Sequence, residues 1–196
     1  MATARKLILQ MQMSVDGFVE AADPELDWQL WDWGEHCPWD EALRRDFNRV
    51  FRTVDCLLLS RNLAEQGFLT HWGDAAKNHP REPLYDFARK VTAADKVVFS
   101  RRLEISRWAR TEIATGGLVK AVQALKRRAG KDMIAFGGVT FAASLAAAGL
   151  VDEFQFYVNP AVVGSGRSIF REGIDLRLLK STAYRCGMVV NRYAPV

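Results

Sequence analysis

Two apolar runs of this 196-residue chain end in the same pair of residues. CLLLSRN (56–62) closes on Ser60, Arg61 and Asn62, and KVVFSRR (96–102) closes on Ser100, Arg101 and Arg102. A third run, MIAFGGVT (133–140), closes on Gly137, Gly138, Val139 and Thr140. These residue types suit an anionic ligand. Guanidinium grips phosphate through two parallel hydrogen bonds, and a serine hydroxyl adds a donor. A glycine pair lets the backbone approach a ligand closely, and the start of the following helix offers unpaired N–H groups at its positive end. Each feature alone also reads as ordinary punctuation: an arginine after a strand as a solvated cap, a Gly-Gly as a turn. Three such endings together point to a dinucleotide with an extra phosphate, NADP rather than NAD, provided that the three strands are neighbours. The chain has neither a G-x-G-x-x-G fingerprint nor a Walker sequence, so the usual Rossmann and P-loop readings fail.

The elements that must position these residues follow from hydrophobic pattern. LILQMQM (7–13) alternates and runs into the turn signal Val15-Asp16-Gly17. Leu43, Phe47, Val50 and Phe51 mark an amphipathic helix capped near Asp40. The runs at 56–60, 96–100 and 133–138 are continuous, as expected of strands covered on both faces. Between them lie a loose region with Gly67, Gly73, His79-Pro80 and Pro83, a short helix over 84–91, and a helix from Leu118 towards Gly130. The Ala-rich segment 139–150 is a further helix, 151–164 a long alternating strand interrupted at Pro160, and 175–194 two strands around a turn. Strands and helices alternate over the first 150 residues and strands dominate afterwards. The expectation is one α/β domain over 1–196, with a mostly parallel central sheet, an antiparallel C-terminal edge and helices on both faces.

Composition sets the limits. With 49% hydrophobic and 26% charged residues the chain can bury a core. A net charge of +4 and a pI near 9.1 are too mild for a nucleic-acid surface. No apolar run reaches the roughly 20 residues of a membrane span. Cys37, Cys56 and Cys186 are odd in number and far apart, which favours a reduced, cytoplasmic setting. His36, His71 and His79 lack ligand spacing, so no metal is expected.

The succession MSVDGFVE, DCLLLSRN, KVVFSRRLE and GKDMIAFGGVTFAASLAAAGLVDEFQFYVNPAVVGSGRSIF resembles the dihydrofolate reductase-like family over nearly the whole chain. The branch most like it holds the reductase domain of bifunctional riboflavin biosynthesis proteins, the RibD C-terminal domain. The resemblance implies NADPH across the strand ends and a hydride passed to a C=N or C=O of a flat heterocycle, pterin-like or a ribosylated pyrimidine. It implies that Arg61 and Asn62 open a helix under the cofactor phosphates, and that Ser100, Arg101 and Arg102 meet the adenosine ribose and its 2′-phosphate. Gly137 and Gly138 match a pair of unusual peptide geometry that touches pyrophosphate and nicotinamide. Gly164 and Gly166 match a loop beside nicotinamide and substrate. The family usually carries Gly-Arg where this chain has Ser60-Arg61, and the added Cβ narrows that approach. A two-fold dimer involving the strand after Asp152-Glu153 is also implied.

For a proton donor the candidate is Asp16, as a carboxyl of raised pKa on the same rim; its other reading is a plain Asp-Gly turn. Asp40 and Glu41 stand where true dihydrofolate reductases place their pterin-binding acid, but both are good helix-start residues, and capping is the favoured role. Trp28, Trp31, Trp33 and Trp39 either stack on a flat substrate or cover a core edge or subunit interface. Two functions from different classes remain: a reductase, or a non-catalytic NADP-binding regulatory or structural dimer.

Overall fold

Leu57 and Leu59 face one side of a sheet while Cys56 and Leu58 face the other, and all four are buried. That two-sided cover is why 56–60 reads as an unbroken apolar run. In the computed structural model, which describes residues 4–30 and 36–196, this run lies in the strand Val54–Ser60. The strands in chain order are β1 (Leu7–Met13), β2 (Glu20–Ala21), β3 (Val54–Ser60), β4 (Asp95–Phe99), β5 (Thr111–Ala114), β6 (Asp132–Ala135), β7 (Glu153–Val158), β8 (Gly166–Arg167), β9 (Leu176–Ala183) and β10 (Val189–Pro195). Eight of them form one sheet in the order β5-β4-β3-β6-β1-β7-β10-β9, while β2 and β8 pair separately.

From β5 to β7 every pairing is parallel; β10 and β9 complete the sheet antiparallel. The helices are α1 (Glu41–Val50), α2 (Arg61–Glu65), α3 (Phe68–Asn78), α4 (Asp86–Ala93), α5 (Leu118–Arg127) and α6 (Val139–Ala147), with a 3₁₀ turn at Pro83–Tyr85. One face of the sheet packs on Val122 and Leu125 of α5 and on the Ala-rich α6. The other packs on Leu43, Phe47, Trp72, Phe87 and Val91 of α1, α3 and α4. The α/β expectation, with its parallel centre and antiparallel edge, agrees with this architecture.

Two local expectations need correction. The region 67–83 is not loose: α3 occupies eleven of its residues. Gly67 takes φ +99° at the start of α3, a conformation that suits glycine. Phe68, Trp72, Ala75 and Ala76 then fall on one face and pack against the core. The segment 151–164 does not alternate in burial either, because β7 lies between β1 and β10 and is buried on both faces except at Val158.

Leu58 is fully buried in β3, between β4 and β6. Leu58→Ala is expected to cost about 3 kcal/mol of stability through lost burial and a residual cavity. Denaturant unfolding of the two proteins reads that difference.

Candidate functional site

The order β4-β3-β6 places the three polar endings side by side at the carboxyl rim of the parallel sheet. Ser60 caps α2: its hydroxyl accepts from the Leu63 N–H at 3.2 Å. Arg61 pairs with Glu65 one turn along the same helix. Ser100 shapes the neighbouring loop by accepting from the N–H groups of Arg102 (3.0 Å) and Leu103 (2.8 Å). Arg101 and Arg102 stand exposed beyond it, with no ion pair or side-chain hydrogen bond among the described residues. The Gly137–Gly138 peptide is cis, and Gly137 takes φ +100°. Gly138 precedes α6, whose Phe141 and Ala142 N–H groups both return to the Gly138 carbonyl. The N–H groups of Val139 and Thr140 therefore lie ahead of the first helical hydrogen bonds, as at any helix start.

These endings line one continuous depression. Ser60, Arg61, Asn62, Ser100, Arg101, Arg102 and Thr140 border a groove of about 550 Å³. It shares Ser60, Asn62, Thr140 and Phe141 with a smaller groove of about 230 Å³, which also touches Glu20, Gln66, Gly138, Val139 and Arg167. The smaller groove in turn shares Leu63, Gln66, Gly138 and Val139 with a cleft of about 640 Å³. That cleft is walled by aromatic rings (Trp39, Phe68, Trp72, Phe87, Phe136 and Tyr157) and floored by Gln10, Met11 and Gln12 of β1. A Cβ built on Gly138 would meet nothing within 4 Å, so its surroundings are open where the cleft and the small groove join. A cation-edged groove, a helix start and an apolar cleft thus follow one another along a single path. A dinucleotide with a phosphorylated adenosine fits that succession, and Arg101, Arg102, the α6 start and the cleft would hold its successive parts.

Other expected site residues lie elsewhere. The Asp16 carboxylate accepts from the Gly164 N–H at 2.7 Å and the Val163 N–H at 3.2 Å, latching the loop after β7 to the turn after β1. A hydrogen bond from Ser14, together with those backbone amides, holds its pKa below the ordinary carboxylate value. This corrects the expectation of a raised pKa, and the exposed carboxylate lines none of the three depressions. A lowered pKa adds support above the unfolded value and loses it as pH falls through the folded one, so the latch weakens only in acid. Gly164, at φ +73°, receives the latch, and it too lies outside the depressions. Gly166 has a packing reason: a Cβ there would stand 2.1 Å from the Glu20 carbonyl oxygen, across the β2–β8 pairing. Asp40 is a helix cap, with one oxygen accepting from Leu43 N–H (2.9 Å) and the other from Cys186 N–H (3.2 Å). Its carboxylate does not reach the cleft lining.

Of the tryptophans, Trp39 is buried and stacks on Tyr157 with centroids 5.7 Å apart, so it is both core and cleft wall. Trp31 and Trp33 fall outside the described residues. Several lining residues were missed by pattern. Gln10, Gln12 and Tyr157 looked like mere strand alternation, and Trp72 and His71 belong to the unforeseen α3. Arg167, which follows Gly166 and had no role from pattern, donates to Thr140 at 2.8 Å and pairs with Glu20 at 3.3 Å beside the small groove. Among the described residues no cluster of His, Cys, Asp or Glu could hold a metal ion, and no helix is long and apolar enough to cross a membrane.

Residues 5–190 match the family model of the RibD C-terminal domain, and the chain belongs to that family. A Bacillus subtilis (strain 168) protein, YyaP, described as uncharacterized, is 27% identical over 190 residues, covering 94% of this chain and 92% of its own. Among solved structures, a putative riboflavin biosynthesis protein from Shewanella sp. PV-4 superposes with a TM-score of 0.68 at 17% identity, covering 97% of this chain and 99% of that one. A Thermotoga maritima diaminohydroxyphosphoribosylaminopyrimidine deaminase/5-amino-6-(5-phosphoribosylamino)uracil reductase superposes at 0.63 with 11% identity; it covers 98% of this chain, but only 57% of that larger chain is matched. The shared fold is the dihydrofolate reductase-like one of RibD C-terminal domains.

Proposed function

We propose that this protein is an NADPH-dependent reductase acting on a small flat heterocycle. The observation that carries this reading is the unbroken path from the arginine-edged groove, past the open side of Gly138, into the aromatic cleft. Bound along that path, NADPH would supply a hydride to a C=N or C=O group in the cleft.

The chain's own residues do the rest. Arg101 and Arg102 bind the 2′-phosphate, with Ser100 holding their loop. Val139 and Thr140 present the helix-start N–H groups to the pyrophosphate. Trp39, Trp72, Phe87 and Phe136 exclude water from the reacting face, which strengthens polar contacts within the cleft. Asp16 acts as a loop latch rather than as an acid. Burial pushes the pKa of the Tyr157 hydroxyl far above its ordinary range, so it keeps its proton, and its oxygen accepts from Gln10 Nε2. The proton that balances hydride addition comes from His71, on the cleft wall, or from water at the mouth. The strand opened by Asp152-Glu153, β7, is enclosed between β1 and β10, so the two-fold dimer that the resemblance implied there is proposed instead for the antiparallel edge, where Leu178 and Leu179 of β9 are 53% and 43% exposed; light scattering reads its mass.

The rival reading, an NADP-binding dimer without turnover, shares the groove and differs only in the cleft. NADPH-saturated protein offered a panel of heterocycles with C=N and C=O groups separates the two. Consumption of NADPH with stoichiometric reduction of one heterocycle supports the reductase. Tight NADPH binding with no consumption across the panel supports the binder.

A further inference from the structure

Two chains of buried amides end at the cleft floor, and in each the orientation of the last amide is fixed from behind. Glu153, buried in β7, accepts from Arg192 Nε at 2.7 Å and from Gln155 Nε2 at 2.7 Å. A carboxylate only accepts, so Gln155 must turn its NH₂ towards Glu153 and its carbonyl away. That carbonyl takes a hydrogen bond from Gln10 Nε2 at 3.1 Å, and the same Nε2 also donates to the Tyr157 oxygen at 3.2 Å. Both hydrogens of the Gln10 amide nitrogen are thereby spent, and its carbonyl oxygen has no hydrogen bond among the described residues. The second chain runs the other way. The Leu30 N–H donates to Asn159 Oδ1 at 2.7 Å, and Asn159 Nδ2 donates to Gln12 Oε1 at 2.9 Å. Gln12 therefore keeps its NH₂ for the cleft. Gln10 and Gln12 are two residues apart on one strand and so share a face. The floor presents an acceptor next to a donor.

The walls add a second restriction. Among the described residues the cleft is lined by no Asp, Glu, Lys or Arg. Arg167, in the adjoining groove, is occupied by Glu20 and Thr140. A phosphoryl group carried into the cleft would lose its hydration and find no Lys or Arg to pair with, His71 being the one described lining side chain able to offer it a positive charge.

We infer that the cleft takes an uncharged flat heterocycle that presents a lactam edge, ring N–H to Gln10 and ring C=O to Gln12, and that it discriminates against phosphorylated substrates. This rests on the reductase reading for the cofactor site and departs from the phosphoribosyl substrate named for the Thermotoga maritima protein. Glu153 and Asn159 serve as positioning residues, because each fixes the polarity of an amide that it does not share with the substrate.

The test uses three flavin probes and one control on the NADPH-saturated protein, followed by tryptophan fluorescence. Lumiflavin is flat, uncharged and has the lactam edge; 3-methyllumiflavin lacks the ring N–H; flavin mononucleotide adds a ribityl phosphate, with riboflavin as the uncharged control that carries the ribityl chain alone. Lumiflavin is expected to bind, with 3-methyllumiflavin at least about tenfold weaker than it and flavin mononucleotide at least about tenfold weaker than riboflavin, the scale of one lost buried hydrogen bond or one unpaired charge. Gln12→Leu is expected to weaken lumiflavin by a similar factor without altering NADPH affinity. No lumiflavin binding, equal affinity for the 3-methyl probe, or flavin mononucleotide binding as tightly as riboflavin overturns the assignment. NADPH affinity is measured first and on its own, so a failed cofactor site is told apart from a wrongly read cleft.

Discussion

Gly138→Val is expected to abolish measurable NADPH binding, a loss of at least about 100-fold or 2.7 kcal/mol, while the protein stays folded. The two halves of this result have separate causes. Gly138 has φ −49°, which any L-residue adopts, and a Cβ there meets no heavy atom within 4 Å. The protein alone therefore has room for a Cβ at this position, and the branching methyls point on into the open space beyond the backbone's own contacts only as far as the two depressions extend. The space the side chain enters borders both the cleft and the small groove, along the course assigned to the cofactor. Gly166→Ala is the contrasting control. Its Cβ would lie 2.1 Å from the Glu20 carbonyl, so it should lower the melting temperature by disturbing the β2–β8 pairing. Calorimetry of binding and thermal unfolding, run on both variants, read the two effects separately.

Replacing Arg101 and Arg102 together by alanine is expected to lower NADPH affinity about 100-fold and leave NADH affinity within about twofold. Hydrogen bonds to a charged group contribute roughly 1.5–3 kcal/mol, so two guanidiniums on one phosphate account for that size. Neither arginine has an ion pair to lose among the described residues, and both are exposed, so stability should hardly change. The wild-type preference for NADPH should shrink as salt is raised, because exposed charges are screened within about 10 Å at 0.1 M. Arg61 is expected to matter less, since Glu65 already engages it. Fluorescence titration with each nicotinamide nucleotide at two ionic strengths checks all three statements.

The large-scale plan was legible because it depends on burial. Continuous apolar runs at 56–60, 96–100 and 133–138 read as covered strands, of which the last ends early at Ala135, and the parallel order β4-β3-β6 brings their ends together. Helix α6 was legible from its alanines and the glycines around it. Helix α3 was hidden by punctuation. Gly67, Gly73 and His79-Pro80 suggested a loop, while Phe68, Trp72 and Ala75 carried the helical spacing all along. Asp16 and Asp40 show the limit of reading acids by position. Each lies near the right rim, but what an acid does depends on its partners, and both carboxylates are spent on backbone N–H groups. The roles of Gln10 and Gln12 could not be read from sequence. Their polarity is set by Glu153 and Asn159, more than 140 residues away along the chain, through contacts that only the β1–β7 register creates.

The most direct test of the central claim is a crystal structure of the protein with NADP⁺. The account predicts the 2′-phosphate against Arg101 and Arg102, the pyrophosphate at the start of α6, and the nicotinamide ring beside Gly137–Gly138 facing the aromatic cleft. A nicotinamide lying outside that cleft, or a 2′-phosphate that neither arginine touches, would contradict it.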